Sequence, residues 1–319
     1  MNTILTSDRL YSKERRLMGN HFQISVVADD ETWALKKIGE AISEIQRIEE
    51  LLTTFRESSQ TNLINANAGI KPVRVDREVF DLIERSLRIS ELTQGAFDIT
   101  YGSIDKRLWN FDKTMEELPD TQVAKSLVRL INYRNVITDG TNETVFLKEK
   151  GMRIGFGGIG KGYAADRARA IMQQAGVKSG IVNAAGDLTV WGNQADGNPW
   201  TIGVADPDRK ELPYASMRLT NVSVATSGNY EKYVVIGGKK YSHTIDPKTG
   251  YPVHGIKSVT IICKNAEIAD AMATPVMVMG IKAGLHLINQ IKDIACIIID
   301  DDNEIHTTRN INIKGTYEK

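Results

Sequence analysis

The residue pattern predicts an α+β protein of mixed or antiparallel sheets packed with helices. Three observations lead there. Long amphipathic helices come early, short β-rich runs separated by turn signals follow Tyr133, and helical periodicity returns only between groups of strands. A doubly wound sheet would alternate strand and helix throughout.

Taken in order, a strand-like stretch from His21 to Val27 precedes the first helix. From Glu31 to Leu52, apolar Leu35, Ile38, Ile42, Ile45, Ile48 and Leu52 recur at three- and four-residue steps, the signature of one buried helix face. A second amphipathic helix is predicted over Glu78–Leu92, before Gly95, and a shorter one over Asp120–Leu130. Strands are expected at Val136–Thr138, Thr144–Lys148, Gly180–Asn183, Leu188–Trp191, Trp200–Val204, Ala215–Leu219 and Tyr233–Tyr241, with turns at Asp139-Gly140, Asp196-Gly-Asn198 and Gly237-Gly238. Helices return at Gly162–Gln174 and Ala266–Ile291. No repeat or linker breaks the chain, so the expectation is one domain over residues 1–319, with an internal boundary near 150 if there is one.

Composition narrows the function classes. At 41% hydrophobic and 25% charged, 319 residues can bury a sizeable core. Lys+Arg and Asp+Glu number 40 each, so no overall basic field draws nucleic acid or an acidic membrane. Cys263 and Cys296 lie in apolar runs, where small buried thiols are expected. No run long enough to span a membrane is read from the sequence. The N-terminus shows neither a signal-peptide apolar region nor a cysteine for lipid, so the expected location is cytoplasmic, or periplasmic or membrane-anchored if a leader has been removed.

Gly155-Phe-Gly-Gly-Ile-Gly160 fits GxGxxG, yet no acid stands about 20 residues on to hold a ribose. Gly155 to Lys161 fits GxxxxGK, but Gly162 replaces the hydroxyl residue that holds the metal in a P-loop. What both patterns share is physical: glycines let backbone N–H groups approach a ligand, and a helix N-terminus favours an anion. Lys161 can add a point charge or remain a solvated lysine.

Asp270 and Thr274 fall on one helix face, where a carboxylate and a hydroxyl can share a hard cation such as Mg²⁺. The competing reading is local: Asp270 favours the first turn, Thr274 bonds back to a carbonyl, and Pro275 blurs the helix start. His243 is flanked by Ser242 and Thr244, with Asp246 three residues on, a setting that suits a general base. His21, His254, His286 and His306 have no such company and are read as surface or packing residues, and Asp300-Asp-Asp302 as a hairpin turn.

Met18-Gly19, Gly95-Ala-Phe-Asp98, Gly157-Gly-Ile-Gly-Lys-Gly-Tyr-Ala-Ala-Asp166, Asn183-Ala-Ala-Gly-Asp187, Ser227-Gly-Asn-Tyr230, His243-Thr-Ile-Asp-Pro-Lys-Thr-Gly250 and Asp270-Ala-Met-Ala-Thr274 occur in the order seen in ApbE-type FAD:protein FMN transferases, which the chain resembles from about residue 15 to 315. The resemblance implies an ApbE-like fold with a T-fold-like domain, FAD bound in a cleft with Mg²⁺, and transfer of FMN to a Ser or Thr hydroxyl of a target flavoprotein with release of AMP. It implies Asp270 and Thr274 as metal ligands, Gly158 and Ala273 as contributors of backbone carbonyls only, and His243 as the catalytic base. Met18, Phe55, Ala96, Phe97, Asp98, Lys161 and Thr244 fall at flavin-nucleotide contact positions.

Three positions depart from the family pattern. Gly155 stands at a nucleotide-contact position where many members have Asp, Phe55 replaces a common Tyr, and Asn183-Ala-Ala-Gly-Asp187 has alanine for glycine. Hydrolysis of FAD to FMN and AMP, FAD binding without catalysis, and a nicotinamide oxidoreductase read from GxGxxG alone are the alternatives.

Overall fold

The structure, a computed structural model, describes residues 8–105, 117–118, 120–205, 213–228, 233–242 and 244–311. The chain runs through β1 (Arg9–Leu17), β2 (Asn20–Ala28), α1 (Glu31–Leu52), α2 (Gln60–Ala66), β3 (Val73–Arg74) and α3 (Arg77–Leu92). A 3-10 turn at Ile99–Ser103 leads to α4 (Thr121–Leu127), β4 (Val136–Asp139), β5 (Thr144–Leu147) and α5 (Gly160–Gln174). Then come β6 (Gly180–Ala184), β7 (Asp187–Trp191), β8 (Trp200–Ala205), β9 (Pro213–Leu219), β10 (Val222–Gly228), β11 (Tyr233–Ile236) and β12 (Lys239–Ser242). Last are β13 (Ile256–Cys263), α6 (Ala266–Ile288), β14 (Ile294–Asp300) and β15 (Ile305–Thr307).

Eight strands form the central sheet in the order β1-β2-β6-β7-β10-β13-β14-β15, every neighbouring pair antiparallel. Period-two alternation divides its side chains between two faces. Phe22, Ile24, Val26, Val182, Ala225, Val259 and Ile261 join the core beneath the helices, while Ile181, Val190, Val224 and Ile262 face a second cluster capped by Trp200 and Ile202 of β8. This antiparallel α+β arrangement leaves no βαβ unit for a dinucleotide fold around GxGxxG.

Helix α1 spans the residues its periodicity predicts, capped by Asp30 Oδ1 accepting from Trp33 N at 2.6 Å. Ala34 and Ala41 are fully buried on its inner face, and Leu35 and Ile42 only flank it. Two predicted elements need correction. Tyr233–Tyr241 is a hairpin of two strands, because Gly237 and Gly238 both take positive φ and turn the chain. Helix α6 is long and apolar enough to cross a membrane by length and composition, which the sequence reading missed; in the fold its apolar surface packs on the sheet and α5, with Ala269, Ala271, Met272, Ala273 and Val276 buried. It starts at Ala266 with Pro275 inside, and Gly280, at φ 80 and ψ 170, interrupts it.

Both cysteines are buried and free, as read. Asp300–Asp302 does form a hairpin turn, Asp300 Oδ1 accepting from Asp302 N at 3.0 Å and Glu304 N at 2.8 Å. His306, however, has a carboxylate partner: its Nε2 lies 2.7 Å from Asp300 Oδ2, because β15 folds back on β14.

Candidate active site

The site forms where the start of α5 crosses α6. A Cβ on Gly162 would lie 2.1 Å from the Ala266 carbonyl oxygen, so only glycine allows the helices to meet there. That approach lets Gly162 N donate to Asp270 Oδ2 at 3.0 Å. Next to it, the Lys161 ammonium lies 2.5 Å from Asp187 Oδ2 and 3.3 Å from Asp270 Oδ1. Asp187 opens β7 and accepts through Oδ1 from Thr226 N of β10 at 3.3 Å. One turn along α6 from Asp270, Thr274 Oγ1 pairs with Ser227 Oγ of β10 at 3.0 Å. Neither local alternative holds, since both side chains of α6 reach across to other elements.

Burial alone would lower the Lys161 pKa, but Asp270 and then Asp187 outweigh it and hold the ammonium charged well above its ordinary range. Burial pushes the Asp187 carboxyl up, and Asp270 adds to the push while Lys161 opposes it. Two carboxylates against one ammonium leave the cluster short of positive charge. Its oxygen donors, carboxylates and hydroxyls from Asp270, Thr274 and Ser227, are the hard type that suits Mg²⁺.

The glycine-rich run enters this cluster from its own supports. Asn65 brackets Ile154, donating to its carbonyl at 3.1 Å and accepting from its N–H at 2.8 Å, and Gly155 N donates to the Ile99 carbonyl at 3.0 Å. None of the glycines at 155, 157, 158 and 160 takes positive φ, so their role is space rather than a left-handed turn. Gly160 sits close to Met18 Cε, Gly158 faces the Phe97 ring, and a Cβ on Gly157 would meet nothing within 4 Å. Helix α5 follows Ile159, which gives it no side-chain cap; Gly160 N donates to the Phe156 carbonyl at 2.7 Å and Gly162 N to Asp270, so the first turn offers a ligand little beyond the Lys161 N–H.

Gly95-Ala-Phe-Asp98 lies alongside. Ala96 and Phe97 are buried, and the position a Cβ would take on Gly95 is 3.9 Å from Lys248 Cε. Asp98 is also buried, and that burial raises its pKa against the hydrogen bonds it receives. Its Oδ1 accepts from Thr100 N and Oγ1, and its Oδ2 from Tyr133 N, so it fastens its own turn. Phe55 is 98% exposed, on a loop whose Thr54 and Arg56 carbonyls are both held by Asn62 Nδ2 at 2.9 Å.

His243 lies outside the described residues, as do Asn229 and Tyr230. Beside it, Ser242 Oγ accepts from Thr244 N at 3.1 Å. The Asp246 carboxylate, read as a support for His243, holds its own turn: Oδ1 accepts from Lys248 N at 2.8 Å and Oδ2 from Thr249 Oγ1 at 3.0 Å. That turn is pressed onto α4, where a Cβ on Gly250 would lie 2.1 Å from the Ala124 carbonyl oxygen.

Thus Lys161, Asp270 and Thr274 come together at the α5–α6 crossing, with Ala273 next to Thr274 on α6, while Met18 and Phe97 lie against the glycine run at Gly160 and Gly158. Asp187, Ser227 and Gly162 stand in motifs named from the sequence but were given no role at the site. Asp187 carried a signal all the same, an acid placed between the Ala185-Gly186 turn and an apolar strand.

Comparison with known proteins agrees with this geometry. The ApbE family model matches residues 18–298. A FAD:protein FMN transferase of Klebsiella pneumoniae is 33% identical over 304 residues, 94% of this chain and 92% of the relative. The crystal structure of an ApbE protein from Thermotoga maritima superposes with a TM-score of 0.83 at 32% identity, covering 94% of this chain and 97% of that one. The Pseudomonas stutzeri flavinyl transferase ApbE gives 0.82 at 27% identity over 95% of each chain. Matched over most of its length in sequence and in fold, the chain belongs to the ApbE family.

Proposed function

We propose that this chain is a FAD:protein FMN transferase that moves FMN from FAD to a Ser or Thr hydroxyl of an acceptor flavoprotein and releases AMP, with Mg²⁺ as its metal. The observation that carries this reading is the placement of Asp270 and Thr274 side by side on α6, against the glycine-opened start of α5. The space left by the glycines and the positive end of α5 suit a diphosphate there, and a carboxylate–hydroxyl pair suits a hard cation beside it.

In this reading Asp270 and Thr274 would hold Mg²⁺, with backbone carbonyls of Gly158 and Ala273 as further oxygen donors, and the ion would neutralise charge on the FAD diphosphate. Lys161 keeps Asp270 and Asp187 from repelling each other at close range. Met18, Phe55, Ala96, Phe97, Asp98, Gly155 and Thr244 border the flavin nucleotide. The acceptor hydroxyl gives its proton to His243 and attacks the FMN-side phosphorus; a new P–O ester forms, the diphosphate bridge breaks, and AMP leaves carrying the bridging oxygen.

Mass spectrometry of the products, after incubation with FAD and Mg²⁺ with and without an acceptor domain bearing a Ser/Thr flavinylation motif, tests the proposal. A covalent FMN gain on the acceptor with AMP in solution is expected. FMN plus AMP with an unmodified acceptor moves the reading to a hydrolase, and intact FAD in every arm overturns it.

A further inference from the structure

Helix α6 begins without a cap of its own, since Asn265 makes no side-chain capping bond. Asp166 of α5 supplies one instead, its Oδ2 accepting from Glu267 N at 3.0 Å. One turn earlier on α5, Gly162 N donates to Asp270 Oδ2 at the same length. The two bonds are reciprocal: α5 gives an amide to a carboxylate of α6 and takes an amide of α6 onto its own carboxylate. Because they lie a turn apart on α5, together they fix both the height and the rotation of α6 against it.

Asp166 has little else to do. Its Oδ1 is buried and bonded to nothing among the described residues. A partly buried carboxylate with one oxygen unbonded and no ion pair among the described residues is retained at a cost, which asks for a role beyond solubility. The turn it caps is held from a second side by Arg85 of α3, which bonds Glu267 at 2.6 and 3.0 Å.

We infer that Asp166 is a positioning residue for the metal-binding face of α6, holding Asp270 and Thr274 in place against Lys161 and Ser227 by capping the helix that carries them. The inference rests on the proposed reading of Asp270 and Thr274 as metal ligands. It acts through the helix, so the effect belongs on metal occupancy rather than on the chemical step.

The test compares Asp166→Ala and Asp166→Asn with the unaltered enzyme by calorimetric Mg²⁺ titration without FAD, turnover against Mg²⁺ concentration, and amide hydrogen exchange of Ala266–Glu267. In Asp166→Ala the half-saturating Mg²⁺ should rise about tenfold, within the range seen when supports of metal ligands are removed. Turnover at saturating Mg²⁺ should be largely kept, and the Glu267 amide should exchange faster. Asp166→Asn, which keeps an acceptor oxygen, should restore both. A folded Asp166→Ala with an unchanged Mg²⁺ requirement overturns the inference, as does an Asn variant as impaired as the Ala one. If Asp166→Ala does not fold, Arg85→Met, which removes the other tie to the same turn, takes its place: a raised Mg²⁺ requirement supports the inference and an unchanged one overturns it. Asp270→Asn run in parallel separates the two readings, because Mg²⁺ binding that survives it defeats the metal assignment whatever Asp166 does.

Discussion

On one flank of α5, Arg167 and Tyr163 join Glu44, Arg47 and Glu78 in a network where two guanidiniums meet two carboxylates; at the start of the same helix, Lys161 alone meets Asp187 and Asp270. The first group is the more exposed, its arginines at 42% and Glu44 and Glu78 at 12% and 27%, against 22% for Lys161 and 8% and 7% for Asp187 and Asp270. A balanced, partly hydrated network adds modestly to stability. A buried cluster with one carboxylate more than it can neutralise is costly to keep, and the missing charge is what a cation or a reacting group supplies. The two clusters teach that charge count and burial together, rather than the presence of ion pairs, separate scaffold from site.

The sharpest way to break this comparison is Asp270→Ala. If the cluster serves chemistry, FMN transfer should fall by about a hundredfold or more, the scale of losing a main electrostatic contributor. The melting temperature should change little, because relief of the repulsion between two buried carboxylates offsets the loss of the Gly162–Asp270 bond. A large drop in melting temperature with activity retained would place Asp270 with the scaffold.

Next in size is Gly162→Ala. The new Cβ would meet backbone at Ala266 rather than a side chain that can swing away, so α5 and α6 must part. Overpacking of this kind costs about 3 kcal/mol. Activity should fall with stability, because the same shift breaks the Gly162–Asp270 bond; a neutral outcome in denaturant titration would mean that the crossing is looser than drawn.

On the flank, Arg47→Met should cost about 1 kcal/mol or less at neutral pH and leave transfer intact. The Arg47 hydrogen bonds are the largest cause holding the pKa values of Glu44 and Glu78 below their ordinary value. Carboxyls depressed on folding contribute stability that is present above their unfolded pKa and lost as pH falls through the folded one. Thermal melts from neutral pH down to about pH 3 should therefore lose less stability in Arg47→Met than in the unaltered chain, and equal slopes would remove the network from the account of acid sensitivity.

How much of this was legible beforehand follows from where each signal lives. Helix α1 declares itself within 22 residues because one turn repeats another, and the Asp270–Thr274 spacing survives for the same reason. Strand β1 does not, since both its faces are largely wet and only pairing with β2 makes it a strand. The partners of Lys161 were hidden for a different reason. Asp187 and Asp270 come to it from distant strands and helices, and sequence shows a charge without showing who will neutralise it. The Asp246–His243 pairing lies outside the described residues; what the turn does show is an Asp next to Pro accepting from the backbone two residues on, a local bond the sequence pattern already favours. The family resemblance reached the assembled site where periodicity could not, yet it gave no role to Gly162 or Asp166, although both stand in one of its motifs, because their work is visible only once α5 and α6 cross.

The smallest expected effect sharpens the comparison on the side of backbone strain. The flank network stands on regular helices, whereas the turn that delivers Asp187 puts a residue with a Cβ into the left-handed region: Ala185 has φ 56, followed by Gly186 at φ 100. The two-residue link between Ala184 and Asp187 requires positive φ at both positions to match the twist of its strands. Ala185 is thus a strained residue in a turn that suits glycine. Ala185→Gly should stabilise the protein by about 0.5–1 kcal/mol, the glycine's greater freedom when unfolded offsetting part of the relief. In a chain of this size that is a rise of only about two degrees in melting temperature. Transfer activity should not change, because Asp187 is held in place by Lys161 and Thr226 as well as by the turn. A fall in melting temperature would mean that the turn relaxes without strain, and a fall in activity would mean that the rigidity of Ala185 helps to aim Asp187.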